Sequence, residues 1–168
     1  MAGERMAEVC VRPLGPADVP AFLDLIDALA DYERLERPDA AARARLAADA
    51  VAVPRPFEAL LAEVDGVVAG YAVYFMTYST FLARPTLYLE DIFVLPAARG
   101  QGAGRRLFEA CAAEAVRRGC GRMEWVVLDW NTPAIEFYRR RGARQLTEWL
   151  PFRLDGDALA AFGRQAGG

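Results

Sequence analysis

The chain has 168 residues, 54% of them hydrophobic and 26% charged, with a formal net charge of -3; that is long enough to bury a core without staples, and the acidic balance argues against nucleic acid as a partner. No apolar run approaches the roughly 20 residues that cross a bilayer, so no membrane partner is expected. Histidine and lysine are both missing, which excludes Ser-His-Asp and Cys-His catalysis, histidine metal ligation, Schiff-base chemistry and the phosphate-binding lysine of a P-loop.

Carboxylates, tyrosines and arginines remain as chemical tools, and no metal is expected. The stretch Met1 to Glu8 has no apolar segment of the signal-peptide kind, so a cytoplasmic location is the expectation. From Glu8 to Arg12 polar and apolar residues alternate as in a half-buried strand, and Pro13 to Pro16 break the pattern. Phe22, Leu25, Ile26 and Leu29 recur at helical spacing within Ala17 to Leu35, and an Ala/Arg-rich helix is expected over Asp39 to Ala52, stopped by Pro54 and Pro56. Glu58 to Val64, the turn pair Asp65-Gly66 and Val67 to Tyr78 read as a β-hairpin.

Thr86 to Leu95 is apolar on both faces, with Leu87, Leu89 and Phe93 on one and Tyr88, Ile92 and Val94 on the other, as in a central strand. Glu90 and Asp91 interrupt it. Two carboxylates in a doubly covered strand cost several kcal/mol (~2 to 7) unless water, a cation or hydrogen bonds reach them, so a cavity is implied on at least one side. Gly102 to Arg118 reads as a helix, Arg122 to Leu128 as a strand, Thr132 to Arg141 as a short helix closed by Gly142 and begun by a Thr132-Pro133 cap pair, and Arg144 to Leu154 as returning strand. The order β-α-α-β-β-β-α-β-α-β-β predicts an α/β fold, a mixed and mainly antiparallel sheet flanked by helices, in a single domain over residues 1–168. Cys10, Cys111 and Cys120 are odd in number and lack C-x-x-C spacing, so they are expected to be buried thiols.

The sharpest motif is Arg99-Gly100-Gln101-Gly102-Ala103-Gly104, followed by Arg105, between a buried strand and a helix. Alternate glycines let backbone N–H groups turn inward, and the positive end of the helix dipole adds a place for negative charge. Pyrophosphate fits such a loop. Neither the dinucleotide spacing G-x-G-x-x-G nor a P-loop is present.

The segment resembles motif A of the GNAT N-acetyltransferases, Arg/Gln-x-x-Gly-x-Gly/Ala, at Arg99, Gly102 and Gly104. Tyr88 to Val94, Asp129-Trp130-Asn131 and Phe137 to Ala143 are similar to the diamine (spermidine/spermine) and thialysine acetyltransferase branch. The resemblance implies acetyl-CoA as co-substrate, held by the backbone of Ile92, Phe93 and Val94, by the loop Arg99 to Arg105, and by Asn131, Thr132, Pro133, Ala134 and Tyr138. It implies Tyr138 as the acid that protonates the departing thiolate. Glu90 is the candidate base, acting through water on an ammonium whose pKa of about 10 must be overcome before attack. Tyr32 and Glu33 match the pair that contacts the distal part of a polyamine, and Glu90 and Asp91 add negative charge at the reacting end. A small-molecule amine, diamine or polyamine, is the expected acceptor, and a homodimer the expected assembly. The segments Val127 to Asn131 and Tyr78 to Thr80 also resemble the thialysine-acetylating relatives, which leaves a lysine-like acceptor open; a non-catalytic acyl-CoA-binding module is the remaining alternative.

Overall fold

A computed structural model describes residues 7–165, so most of Met1 to Glu8 lies outside the described residues. These residues group into two compact units divided after Val126. The first holds β1 (Val9–Pro13), α1 (Val19–Glu33), α2 (Ala40–Asp49), β2 (Glu58–Val64), β3 (Val67–Ser79), β4 (Arg84–Val94), α3 (Ala103–Arg117) and β5 (Arg122–Glu124), with 3-10 turns at Pro16–Asp18 and Pro96–Ala98. Its five strands lie in the order β1-β2-β3-β4-β5. The first four pair antiparallel, and β4 pairs parallel with β5 after the α3 crossover.

The helices cover both faces. Leu107, Cys111 and Ala115 of α3 pack with Ala72, Tyr74, Leu87 and Leu89, while Phe22 and Leu25 of α1 pack with Leu61, Tyr71, Val73 and Phe93. Phe22, Leu61, Tyr71, Leu87 and Leu107 are fully buried, and each such side chain contributes about 1.5 to 3 kcal/mol of transfer free energy. Arg12 ties β1 to the start of α1 and to β2, with ion pairs of 2.6 Å to Asp18 and 2.7 Å to Glu63. At its far end α1 stops where Arg34 turns left-handed at φ 59°, and the Leu35 N–H reaches back to the Ala30 carbonyl at 2.9 Å.

One irregularity reshapes the central strand. Val73 pairs with Asp91 but Tyr74 pairs with Leu89, which leaves Glu90 as an extra residue in a β-bulge. The bulge overturns the expected faces of Thr86 to Leu95: Leu87 and Leu89 face α3, whereas Phe93 has moved to the α1 side and Ile92 and Val94 to the α3 side. Strict alternation across the segment would have kept Leu87, Leu89, Asp91 and Phe93 together.

The second unit holds α4 (Thr132–Arg139) and α5 (Gly156–Gln165). Three expectations fail around it. The strand expected to Leu128 stops at Glu124, because only Arg122, Met123 and Glu124 find ladder partners, in Thr86, Leu87 and Tyr88. Arg144 to Leu154 forms no strand among the described residues, and α5 follows it unanticipated. The cap of α4 is Asn131, not Thr132, so Pro133 occupies the second helical position, and the helix ends at Arg139 with Gly142 left-handed at φ 82° just beyond. Of the cysteines, Cys111 is buried and Cys120 half-buried, but Cys10 is exposed on β1, an edge strand of the sheet.

Candidate active site

The glycine loop follows β4 as the sequence implies. Gly100 and Gly102 have φ of 80° and 92°, values that only glycine adopts without strain, and Gly102 is the N-cap of α3. No side chain caps this helix, and its first turn carries Arg105 and Arg106 but no acid. Cations at the positive end of a helix are unfavourable by a few tenths to about 1 kcal/mol unless an anion sits there. A Cβ added at Gly100 or Gly102 would meet nothing within 4 Å, so the loop surface is open, while one at Gly104 would lie 3.7 Å from Val94 Cγ2. Ala103 is buried and Gln101 exposed. Open backbone donors, a helix N-terminus and flanking arginines fit a coenzyme pyrophosphate.

Arg99 departs from its expected place as a simple bracket of that loop. Its Nε donates to the Val94 carbonyl at 3.0 Å, and its guanidinium lies 4.6 Å above the Tyr32 ring centroid and 5.7 Å from that of Phe93. Tyr32 and Phe93 are themselves 6.1 Å apart. The loop and the end of α1 therefore meet at one stack.

Ile92, Phe93 and Val94 pair with Ala72, Tyr71 and Gly70 on one side. On the other side the ladder with β5 covers only Thr86 to Tyr88. The strand thus carries a stretch of backbone that an extended ligand could join by strand-like hydrogen bonds. Gly70 allows the tight approach to its end: a Cβ there would lie 2.7 Å from the Phe93 carbonyl oxygen.

Glu33 and Glu90 both come within electrostatic reach of Asp91. Desolvation is the main force that raises the Asp91 carboxyl to about 6, followed by the charge of Glu90; Glu33 adds to it, and a hydrogen bond from the Tyr71 hydroxyl, 3.3 Å from Oδ2, opposes it. Desolvation also pushes Glu33 above the ordinary carboxylate range. Glu90, on the bulge, is exposed. Among the described residues none of the three has a salt-bridge partner, whereas the other acids of α1 do: Asp31 binds Arg37 at 2.5 Å, and Asp27 binds Arg43 at 2.5 Å. The acidic helix face is therefore largely neutralised up to Glu33. From the sequence Tyr71 reads as one of a set of aromatics that could face a cation; its contact with Asp91 is not legible there, because only the bulge turns Asp91 to its side of the sheet.

In the second unit the Asn131 side chain accepts from the Ala134 N–H at 3.4 Å, setting the first turn of α4 around Thr132 and Pro133. Tyr138 is buried and meets Phe137 edge-on, centroids 5.3 Å apart. Desolvation pushes its phenol up to about 12.

The acetyltransferase (GNAT) family model matches residues 22–143. The chain belongs to that family. The acetyltransferase is 35% identical to a thialysine N-epsilon-acetyltransferase of Mus musculus, over 92% of this chain and 96% of that one. It is 48% identical to an L-ornithine N5-acetyltransferase of Arabidopsis thaliana over 58% of this chain and 42% of the relative. An aminoglycoside N-acetyltransferase solved with CoA shares the fold, with TM-score 0.73 and 23% identity over 89% of this chain and 97% of that chain. An integron cassette protein of V. cholerae does so at TM-score 0.78, 22% identity, 93% and 98%. The enzyme is thus a GNAT-type N-acetyltransferase, of a family that uses acetyl-CoA. Among the described residues no helix is long and apolar enough to cross a membrane.

Proposed function

We propose that the enzyme moves acetyl from acetyl-CoA to a primary amine of a small cation by direct attack within a ternary complex. The observation that carries the choice of acceptor is the trio Glu33, Glu90 and Asp91, drawn together without an ion-pair partner among the described residues. Such a cluster is unfavourable alone and becomes favourable with an ammonium or a dication in it. Tyr32, on the same stretch of α1, adds an aromatic wall.

In this reading Gly100 to Arg105 hold the pyrophosphate, and Asn131, Thr132, Pro133, Ala134 and Tyr138 hold the rest of coenzyme A. Backbone N–H groups of Ile92 to Val94 run beside the pantetheine arm and polarise the thioester carbonyl. The ammonium gives one proton to the carboxylate cluster, through water to Glu90, because an amine with a pKa of about 10 must be deprotonated before it attacks. The free amine nitrogen attacks the thioester carbon; the tetrahedral intermediate collapses, the C–S bond breaks and sulfur takes a proton from the Tyr138 hydroxyl. One of the two remaining N–H protons restores the phenol, and the other stays on the amide. Overall, ammonium and acetyl-CoA become amide, coenzyme A thiol and one released proton. A phenol near 12 stays protonated throughout the neutral range, as this role needs.

Coenzyme A thiol release measured with a panel of amines tests the reading. Diamines, polyamines and lysine-like amines should react faster than neutral or anionic amines; equal rates across the panel would refute it. A lysine-like acceptor is the second reading, favoured by the near full-length thialysine-acetylating relative, and the ranking of putrescine-like against lysine-like amines decides between them.

The proposal includes a cytosolic homodimer. Trp149, Leu150 and Phe152 are 71%, 75% and 94% exposed in a segment with strand-like sequence but no strand partner among the described residues. A second copy would supply that partner. Sedimentation at micromolar concentration should give twice the chain mass, and a monomer would refute the dimer.

A further inference from the structure

We infer that Asp91 is the group that takes the ammonium proton and that Tyr71 is the positioning residue that aims it. The inference rests on the amine-acetylation reading above and assigns its proton-abstraction step to a different carboxylate.

The bulge makes the arrangement. With Glu90 inserted, Asp91 pairs with Val73 and turns its side chain to the α1 face, where Tyr71 lies on the diagonal position of β3. Diagonal neighbours on a sheet are within reach of a long aromatic side chain. The Tyr71 ring is fully buried, edge-on against Phe22 at 5.4 Å and 6.5 Å from Phe93, so it has no freedom to swing. Its hydroxyl, 3.3 Å from Asp91 Oδ2, donates to one carboxylate oxygen and leaves Oδ1 for a substrate proton.

The surroundings favour Asp91 over Glu90. Asp91 is half-buried and Glu90 exposed, so the former meets a substrate with less intervening water. The charged and titratable groups facing Asp91 are Glu90 on its own strand, Glu33 from α1 and Tyr71 from β3, with the Arg99 guanidinium beside the neighbouring Phe93. The carboxyl at about 6 lies close to working pH, where a base is both largely ionised and basic enough to act. An ordinary aspartate would be some hundredfold less basic. In the step, the ammonium N–H bond breaks, the proton joins Asp91, and the nitrogen pair attacks the thioester. Asp91 later releases the proton to water.

The test is the pH dependence of kcat/KM for the best amine, with acetyl-CoA affinity followed by calorimetry. The wild type should show an acid limb near 6 below the ionisation of the amine. D91N should lose that limb and at least about 10²-fold in kcat. Y71F removes a donor that favours the ionised carboxylate, so the limb should move up by about half a unit, a roughly twofold loss at pH 6 and about threefold at pH 5, partly restored by raising the pH. E90Q removes a neighbouring negative charge and should move the limb down without removing it. Loss of the limb in E90Q, or an unmoved limb in folded Y71F, overturns the inference and returns the base to Glu90. A wild-type protein that fails to bind acetyl-CoA breaks the acetylation reading instead, which keeps the two failures apart.

Discussion

Glu33 is the last residue of α1, at the negative end of the helix dipole, and desolvation raises its carboxyl. Both effects make its charge unfavourable to the folded protein. Replacing it by Gln removes the charge with little change of shape, so stability and function should move in opposite directions. Relief of the helix-end clash is worth about 0.3 to 1 kcal/mol, or a rise of roughly 1 to 4 °C in Tm for a chain of this size. Because the folded carboxyl lies above its unfolded value, the wild type loses stability as pH rises through that interval. The Tm advantage of Glu33→Gln should therefore be present at neutral pH and vanish below about pH 4.

A bound distal ammonium would feel the opposite. A bare charge pair at 4 Å with an effective dielectric near 20 is worth about 4 kcal/mol, and fully exposed pairs keep about 0 to 1 after desolvation and screening. For a partly desolvated carboxylate the intermediate figure of ~1.4 kcal/mol predicts about a tenfold rise in KM for a diamine. A monoamine of similar length should be nearly unaffected. Initial rates of coenzyme A thiol release with both amines, at two salt concentrations, read this directly. General steering would weaken both substrates and fade with salt. An unchanged KM for the diamine would show that Glu33 is a solvated helix end and would remove the dication from the proposed function.

Three further outcomes are expected. Gly102→Asp should lower acetyl-CoA affinity at least tenfold by calorimetry, through a carboxylate at the helix N-terminus; Gly102→Ala, which adds only backbone strain of about 1 kcal/mol, should lose much less. Tyr138→Phe should lower kcat far more than it changes KM for acetyl-CoA, and unchanged turnover in the folded variant would make Tyr138 a core residue. The Arg12 guanidinium and the Gly15 N–H hold Asp18 at about 2, so the contact stabilises the fold above the unfolded value of about 3.9 and is lost as pH falls toward 2; Asp18→Asn should flatten the acid limb of a Tm-against-pH curve.

Local signals carried the frame. The Asp65-Gly66 turn, the spacing of Phe22, Leu25, Ile26 and Leu29 and the glycine run after Leu95 each act through a few neighbouring residues, and each element formed where its residues predict. Failures occurred where the deciding partner is distant in sequence. Trp125 to Leu128 have strand-forming side chains but no ladder beyond Glu124, and Arg144 to Leu154 alternate like a strand with no partner among the described residues. For α5 a signal was available in Asp157 within the first turn and Leu159 and Phe162 three residues apart. At the site, Arg99 was legible as a cation but not as a plate on Tyr32, because that contact depends on where α1 ends over β4.

The bulge at Glu90 joins the two halves of the proposed chemistry. A regular strand would place Asp91 and Phe93 with Leu87 and Leu89 against α3, where Leu107 and Cys111 fill the space and no acceptor could enter. One inserted residue turns Asp91 toward Tyr71 and puts Phe93 beneath Tyr32 and Arg99, while Ile92 and Val94 keep the α3 side closed. The same short segment then offers carboxylates from its α1 face and backbone groups from its edge. An amine and a thioester bound to those two features would meet along a single stretch of strand, which is what direct transfer requires. Glu90 itself, left without a ladder partner, is thereby free to serve the charge of the cleft while Asp91 serves the proton.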